Sequence, residues 1–191
     1  MLNNVPFVLH SPFRMKIIKF PRIRQTYEYD CGAEVLRGVL AFHGLDVKEE
    51  IILELAKTDT KTGTLVDDML KVLKKYRIKC KTDTFSIKTL KGSINGKTPV
   101  ILLIQAWTGS SKKINWKNNW SHGHYVVAIG YDNSNIYFAD PYSAFMTCIP
   151  YDELESRWHH RDPRGNEYIN FGIKIARPEK PFDPDKAIHM D

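Results

Sequence analysis

The stretch that most constrains this chain begins with Gln25, reaches a cysteine six residues later at Cys31, and continues as an apolar run with helical spacing. Apolar residues at positions 35, 36, 39, 40 and 42 lie on or near one face, which predicts a buried helix over residues 31–42. Cys31 therefore starts the helix, where unpaired N–H groups and the positive end of the helix dipole stabilise a thiolate. Because the Gln25 amide can reach the same place, the stretch predicts a nucleophile and the beginning of an oxyanion hole.

Helical patterns come first along the chain and strand patterns follow. Two more helices are predicted, over residues 47–56 and from a capping-box-like pattern at residues 64–67. After residue 76 the pattern alternates, and we expect strands over 78–84, 99–104, 124–130, 136–139, 146–149 and 168–175, with a helix over 151–158. This order predicts a single α+β domain over residues 15–177. Residues 1–14 are expected to be a mobile leader, and the proline-rich residues 178–191 a tail.

The composition argues against several classes of protein. A chain of 191 residues that is 42% hydrophobic is ordinary for one globular domain, and no apolar run reaches the length of a membrane span. Three cysteines without tight spacing fit a reduced, cytoplasmic protein better than a disulfide framework or a four-cysteine zinc site. We interpret the basic clusters behind the net charge of +6 as solvated faces, so no nucleic-acid partner is expected. The sequence leaves the oligomeric state open.

A predicted hairpin brings two more polar residues together. His124 opens one strand, residues 132–135 form the turn, and Asp140 closes the returning strand, so both side chains lie at the open end. Asp140 can then orient the His124 imidazole while the other ring nitrogen takes the proton of the Cys31 thiol. Asp132 competes for the orienting role but lies at the turn, the far end of the hairpin. We therefore predict a Cys31, His124 and Asp140 triad, with the Gln25 amide and the Cys31 N–H as oxyanion donors.

This order of residues resembles the papain fold, and its details resemble cysteine peptidase family thirty-nine, whose best-known members are bacteriocin-processing, double-glycine peptidases. The shared details are Gln25 and Cys31-Gly32, the segment from His124 to residue 130, and Asp140 followed by proline. The resemblance implies Cys31 as nucleophile, His124 as general base and then acid, Asp140 as orienter and Gln25 as oxyanion donor, with no metal or cofactor. Many members are fused to a membrane ABC transporter. Since this chain shows neither a spanning segment nor a phosphate-binding loop, we expect a free-standing, peptidase-like member.

The segment over residues 106–121 separates the predicted central strand from His124 and departs most from the family pattern. It is rich in tryptophan, asparagine, serine and lysine, and we expect it to cap the catalytic groove. The candidate substrate contacts are Trp107, Trp116 and Trp120 from this segment and Tyr29 from the stretch before Cys31. Lys112, Lys113 and Lys117 would favour a substrate that carries carboxylates or phosphate. The alternative is a surface loop that its tryptophans hold down.

Several other side chains have no catalytic partner in the pattern. Cys80 and Cys148 alternate as strand residues do and are expected to be buried. His159 and His160 are expected on the surface or in a loop, and Asp30 is expected to cap the first helix.

Peptide or amide hydrolysis through a Cys31 thioester is the leading functional hypothesis, with a peptide or protein as substrate. The same groups could transfer the acyl group to an amine or deamidate a glutamine, because the shape of the groove selects the acceptor. A second class is a domain that binds peptides without cutting them. A third is a zinc site, since His122 and His124 have the spacing that places two imidazoles on one face of a strand.

Overall fold

The computed structural model describes residues 15–109, 114–180 and 182–190. Within these ranges the α-helices are α1 (Cys31–Phe42), α2 (Glu49–Leu55), α3 (Val66–Lys75), α4 (Ile87–Asn95) and α5 (Tyr151–Arg157), with a 3₁₀ turn over Trp116–Asn118. The strands are β1 (Lys16–Ile17), β2 (Cys80–Thr84), β3 (Val100–Gln105), β4 (Gly123–Tyr131), β5 (Asn135–Ala139), β6 (Thr147–Pro150), β7 (His159–Arg161), β8 (Glu167–Ile169) and β9 (Phe171–Ile175). The leader predicted over residues 1–14 lies outside the described residues.

An antiparallel sheet organises the fold. Its strand order is β2, β9, β3, β4, β5 and β6, and the short β1 pairs with β4, while β7 and β8 form a separate hairpin. Strand β3 is buried along its whole length, as its continuous apolar run predicts. The helices predicted from the first half of the chain, α1 to α3, precede every strand of this sheet except the short β1, so the predicted order of helices followed by strands is largely the order of the structure.

Helix α1 is anchored to the sheet through its apolar face. Its residues Val35, Leu36, Val39 and Leu40 are fully buried, and the helix packs against β4. Since each buried side chain of this size contributes about 1.5–3 kcal/mol relative to exposure, α1 is a rigid support for the residue at its first position. That residue is Cys31.

Several sequence-based boundaries need correction. Helix α2 is shorter than predicted, and α3 begins at Val66 because Thr64 does not cap it; the Thr64 hydroxyl bonds to the Thr58 hydroxyl at 2.7 Å. Helix α4 has no counterpart in the sequence prediction, although Ser86 and Thr89 form a capping box at its start. The strand predicted over residues 168–175 is two strands, β8 and β9, separated at Asn170, whose φ of 50° interrupts the extended backbone.

The predicted burial of three other side chains is wrong. Cys80 and Cys148 are exposed because each lies on an outer strand of the sheet, where β2 is exposed at every position. His159 is buried rather than superficial, since it belongs to β7 and its Nε2 contacts the Asn119 carbonyl oxygen at 2.7 Å. None of the helices in the described ranges has both the length and the apolar character needed to cross a membrane.

Candidate active site

The candidate nucleophile lies next to a close contact between α1, the segment that precedes α3, and β4. Cys31 is half-buried as the first residue of α1, and Gly32 follows it. A Cβ atom at Gly32 would lie 2.6 Å from the Thr64 Cβ and 3.0 Å from the Tyr125 ring. Thr64 cannot easily retreat, since its carbonyl oxygen accepts a hydrogen bond from the Tyr125 hydroxyl at 3.0 Å. Glycine at this position therefore allows the start of α1 to approach β4.

Strands β4 and β5 bring His124 next to Asp140. Val127 pairs with Ala139 in the antiparallel register, so Asp140, one residue beyond β5, lies close to the beginning of β4. The His124 Nε2 is 2.8 Å from the Asp140 Oδ1, and both side chains are buried. Asp132 lies at the opposite end of the hairpin, where it accepts the N–H groups of Ser134 and Asn135.

The Asp140 carboxylate accepts four hydrogen bonds. Its Oδ1 accepts from His124 and from the N–H of Tyr142 at 2.9 Å, and its Oδ2 accepts from the Trp107 indole and the Thr147 hydroxyl, each at 3.1 Å. Burial alone would raise the pKa of Asp140, but these donors outweigh it and the pKa is lowered. An asparagine offers a single acceptor oxygen and could not replace this carboxylate without losing partners.

The environment of His124 favours a protonated imidazole. Burial lowers its pKa, while hydrogen bonds to Asp140 and Cys31 raise it, and the result is a pKa of about 9 instead of 6.5. Because Nε2 faces Asp140, Nδ1 is the nitrogen left for the Cys31 sulfur. This arrangement can hold an imidazolium next to the Cys31 sulfur at neutral pH.

Gln25 lies between the start of α1 and the turn that follows Asp140. Its backbone N–H donates to the Pro141 carbonyl at 2.8 Å, and its side-chain Nε2 donates to the Tyr27 carbonyl at 2.6 Å. An amide nitrogen carries two hydrogens, so this bond leaves one for a reacting carbonyl oxygen. The role of Gln25 as oxyanion donor stays a prediction, and its bond to Tyr27 could not be predicted from spacing.

In the described part of the segment over residues 106–121, Trp107 lies against Asp140 and Tyr142. This residue has a positive φ of 55°, and its indole N–H donates to the Asp140 Oδ2. The ring stacks on Tyr142 with centroids 4.4 Å apart and stays 46% exposed. Trp107 therefore contacts Asp140, a member of the predicted triad, and the sequence did not reveal this contact.

The other predicted substrate contacts pack against the protein. The Arg157 guanidinium lies 3.7 Å from the Trp116 ring centre, the Trp120 ring is 4.4 Å from that of His159, and Tyr29 stacks on Tyr27 at 5.4 Å. Trp116 also lines a cleft of about 350 Å³ that reaches Trp107 and Asp140. Of the three lysines, Lys117 is exposed, and Lys112 and Lys113 lie outside the described residues.

The two histidines of the zinc hypothesis have different partners. The His122 Nδ1 is 3.0 Å from the Asn119 Oδ1, whereas His124 faces Asp140. Within residues 15–109, 114–180 and 182–190, no group of three histidine, cysteine, aspartate or glutamate side chains is arranged to hold a metal ion. The zinc hypothesis therefore gains no support from the geometry.

Two buried carboxylates near Cys31 were misjudged or missed. Asp30 does not cap α1; its Oδ2 accepts the N–H groups of Thr26 and Tyr27 instead. Glu34 is buried in the first turn of α1 and pairs with Arg37. No sequence pattern singles out Glu34, which is one of two charged residues in the otherwise mostly apolar α1, the other being Arg37.

The sequence model of the Peptidase C39 family matches residues 19–161. The chain is 24% identical over 172 residues to the sublancin-168-processing and transport ATP-binding protein SunT of Bacillus subtilis strain 168, and equally to that of Bacillus phage SPbeta. The match covers 88% of this chain and 21% of each relative, so the chain spans about a fifth of their length.

Solved structures agree with this match. The peptidase domain of Streptococcus ComA, a bi-functional ABC transporter, has a TM-score of 0.62 at 22% identity over 84% of this chain and 98% of that domain. A double glycine motif protease from an AMS/PCAT transporter, solved with its leader peptide, scores 0.59 at 20% identity over 84% and 94%. A Bacillus anthracis protein described as C39-like scores 0.60 at 19% identity over 87% and 100%. These similarities confirm the predicted α+β, papain-like fold.

Proposed function

We propose that this chain, which belongs to the Peptidase C39 family and is a cysteine peptidase, uses Cys31 as nucleophile, His124 as acid and base, and Asp140 to orient His124. The Cys31 sulfur attacks the carbonyl carbon of a peptide bond, and Gln25 and the Cys31 N–H stabilise the charge on the carbonyl oxygen. His124 protonates the leaving amine, and a thioester to Cys31 remains. His124 then takes a proton from water, whose oxygen displaces the sulfur and releases the acid.

The contact between His124 and Asp140 is the observation that carries this proposal. It joins two buried, ionisable side chains at 2.8 Å, and it leaves the other imidazole nitrogen for the half-buried thiol at the start of α1. A purely structural pair would not need a cysteine as its third neighbour. The raised pKa of about 9 for His124 reflects hydrogen bonds to both residues.

The proposed substrate is a peptide. A similar fold belongs to a double glycine motif protease that was solved with a leader peptide, which makes a peptide containing two successive glycines the first substrate to assay. The cleft lined by Trp107 and Trp116 supports their proposed contacts with substrate, and Tyr29 is near the thiol in sequence. Trp120 is the least supported of the four, since it packs on β7.

Acyl transfer and glutamine deamidation use the same chemistry and remain second candidates. They differ from hydrolysis only in what attacks the thioester or which amide is attacked. Product analysis by mass spectrometry separates the three, since cleavage adds water across a peptide bond, transfer joins two substrates and deamidation raises the mass by about one unit. A binding domain without catalysis would give none of these products.

We further propose that the enzyme works in a reducing compartment such as the cytoplasm. All three cysteines are free, and the mechanism requires a reduced Cys31.

The central experiment compares the alkylation rates of the three cysteines by iodoacetamide at pH 7. Although Cys80 and Cys148 are exposed residues, their thiols are partly removed from water, which raises the pKa of both; they therefore remain protonated at pH 7 and serve as internal controls. We expect Cys31 to react first and His124→Ala to slow it. A Cys31 no faster than Cys80 and Cys148 would contradict the proposed role.

Turnover provides the second measurement. Cys31→Ala should abolish peptide hydrolysis, and His124→Ala should lower kcat by about 10²–10⁴-fold, the usual contribution of a general acid and base. Asp132→Asn is the matched control, because it changes a carboxylate in the same hairpin but at the far end. Unchanged kcat in His124→Ala would remove His124 from the mechanism.

A further inference from the structure

Two carboxylates outside the predicted triad are almost completely buried at the start of α1, Asp30 directly before the helix and Glu34 in its first turn. Asp30 is 1% exposed and Glu34 is 2% exposed. Buried carboxylates are rare unless they accept hydrogen bonds, and both face the segment over residues 24–30 that precedes the helix. The triad chemistry uses neither of them, so their burial calls for a separate reason.

These carboxylates hold the backbone of that segment. The Asp30 Oδ2 accepts the N–H groups of Thr26 at 3.1 Å and Tyr27 at 3.0 Å. The Glu34 Oε1 accepts the N–H of Arg24 at 2.9 Å. Three N–H groups within four successive residues are thus bound by two carboxylates, one directly before α1 and one in its first turn.

The remaining N–H in this run belongs to Gln25, and it donates to the Pro141 carbonyl at 2.8 Å. The Arg24 guanidinium also donates to the Tyr142 carbonyl at 2.7 Å, on the same turn. The segment is therefore held on one side by the helix that carries Cys31 and on the other by the turn that follows Asp140. Its own Tyr27 carbonyl holds the Gln25 side chain.

We propose that Asp30 and Glu34 are positioning residues that keep this segment in the shape that presents the Gln25 amide to the reacting carbonyl oxygen. The inference rests on the proposed function, in which Cys31 is the nucleophile and Gln25 an oxyanion donor. An oxyanion hole accelerates a reaction only when its donors are aimed before the charge develops. Without the Asp30 carboxylate, two adjacent N–H groups lose their acceptor and the segment can change shape.

The test compares a reaction that forms an oxyanion with one that does not. Peptide hydrolysis passes through a tetrahedral oxyanion, whereas alkylation of Cys31 by iodoacetamide is a direct displacement that needs only the thiolate. Asp30→Ala should lower kcat by about 10–100-fold, part of the loss known for removal of an oxyanion donor, and leave KM and the alkylation rate within about twofold. Asp30→Asn should restore most of kcat, because its side-chain oxygen can still accept both N–H groups.

A charge effect of Asp30 on the thiolate would instead change the alkylation rate in both variants, and this result would overturn the proposal. A purely structural role is tested by a double-mutant cycle with Gln25→Ala. If Asp30 acts through Gln25, Asp30→Ala should cost less than about twofold in kcat once Gln25 is alanine. Independent, multiplicative losses would refute the inference.

The matched control is Asp132→Ala, which removes a carboxylate that also accepts two backbone N–H groups, in the turn far from Cys31. It should leave kcat unchanged. Should Asp30→Ala fail to fold by circular dichroism, Glu34→Gln and Glu34→Ala supply the same comparison through the N–H of Arg24. Failure of the proposed function itself is recognised separately, since wild-type protein would then show neither turnover nor rapid Cys31 alkylation.

Discussion

Replacing Asp140 with asparagine should lower the pKa of the His124 imidazole by about one unit or more. In the folded protein this pKa is raised from 6.5 to about 9. That difference corresponds to about 3 kcal/mol, because one pKa unit is about 1.4 kcal/mol. Burial works in the opposite direction, and the hydrogen bond to Asp140 is the largest of the contributions that raise the pKa, ahead of the hydrogen bond to Cys31. Asparagine keeps an acceptor oxygen for His124 but removes the negative charge.

Proton NMR of the imidazole C–H resonances measures this pKa directly, and the alkaline limb of kcat/KM against pH measures it in the working enzyme. Cys31→Ser is the matched control, since it leaves the Asp140 contact intact and should shift the pKa less. An unshifted His124 in Asp140→Asn, or a larger shift in Cys31→Ser, would refute the assignment of the raised pKa mainly to Asp140.

The same pKa predicts how stability depends on pH. A folded-state pKa above the unfolded value means that the native protein keeps a proton which the unfolded chain releases. The stabilisation from His124 is therefore fully present below about pH 6.5 and is lost as the pH rises through about 9, a loss of about 3 kcal/mol. Urea unfolding at pH 6 and pH 10 should show this loss in wild type and a smaller one in Asp140→Asn.

Three other variants test particular contacts. Trp107→Phe removes the indole N–H that donates to the Asp140 carboxylate. It should lower kcat by about tenfold with KM unchanged, which corresponds to about 1.4 kcal/mol for a lost hydrogen bond to a charged group. A raised KM with unchanged kcat would instead indicate that Trp107 contacts the substrate. Gly32→Ala should destabilise the fold by about 1–2 kcal/mol in urea unfolding, because the added Cβ would lie 2.6 Å from the Thr64 Cβ. Gly92→Ala on α4 is the control and should stabilise the fold, since no atom lies within 4 Å of the added Cβ. Equal effects of the two substitutions would contradict this account. Ser86→Ala should cost about 1 kcal/mol by breaking the capping box of α4, visible as a lower Tm; an unchanged Tm would show that the cap adds nothing.

Much of the site could be predicted from the sequence because its geometry is local. Helical spacing after Cys31 predicts where α1 begins, and the structure starts the helix at that residue. The contact between His124 and Asp140 follows from the length of one hairpin, whose turn and register are set by nearby residues. The catalytic roles of these residues stay predictions until turnover is measured.

The burial of individual side chains was harder to predict from the sequence. Alternation at Cys80 and Cys148 is typical of half-buried strands, but their exposure depends on where β2 and β6 stand in the sheet. The missed helix α4 shows a different limit. Its capping box was present in the sequence, but its apolar residues are few and gain their burial from contacts with β3 and β4.

The sequence by itself determined the α+β order of elements, the thiol at a helix start and the pairing of His124 with Asp140, because each depends on interactions over short stretches of chain. Only the tertiary structure decided that Trp107 donates to Asp140, and that Asp30 and Glu34 turn back to hold the segment before Cys31. A polar side chain has many acceptors and donors within its reach in the unfolded chain. Packing between distant elements selects one of them, and periodicity does not encode that choice.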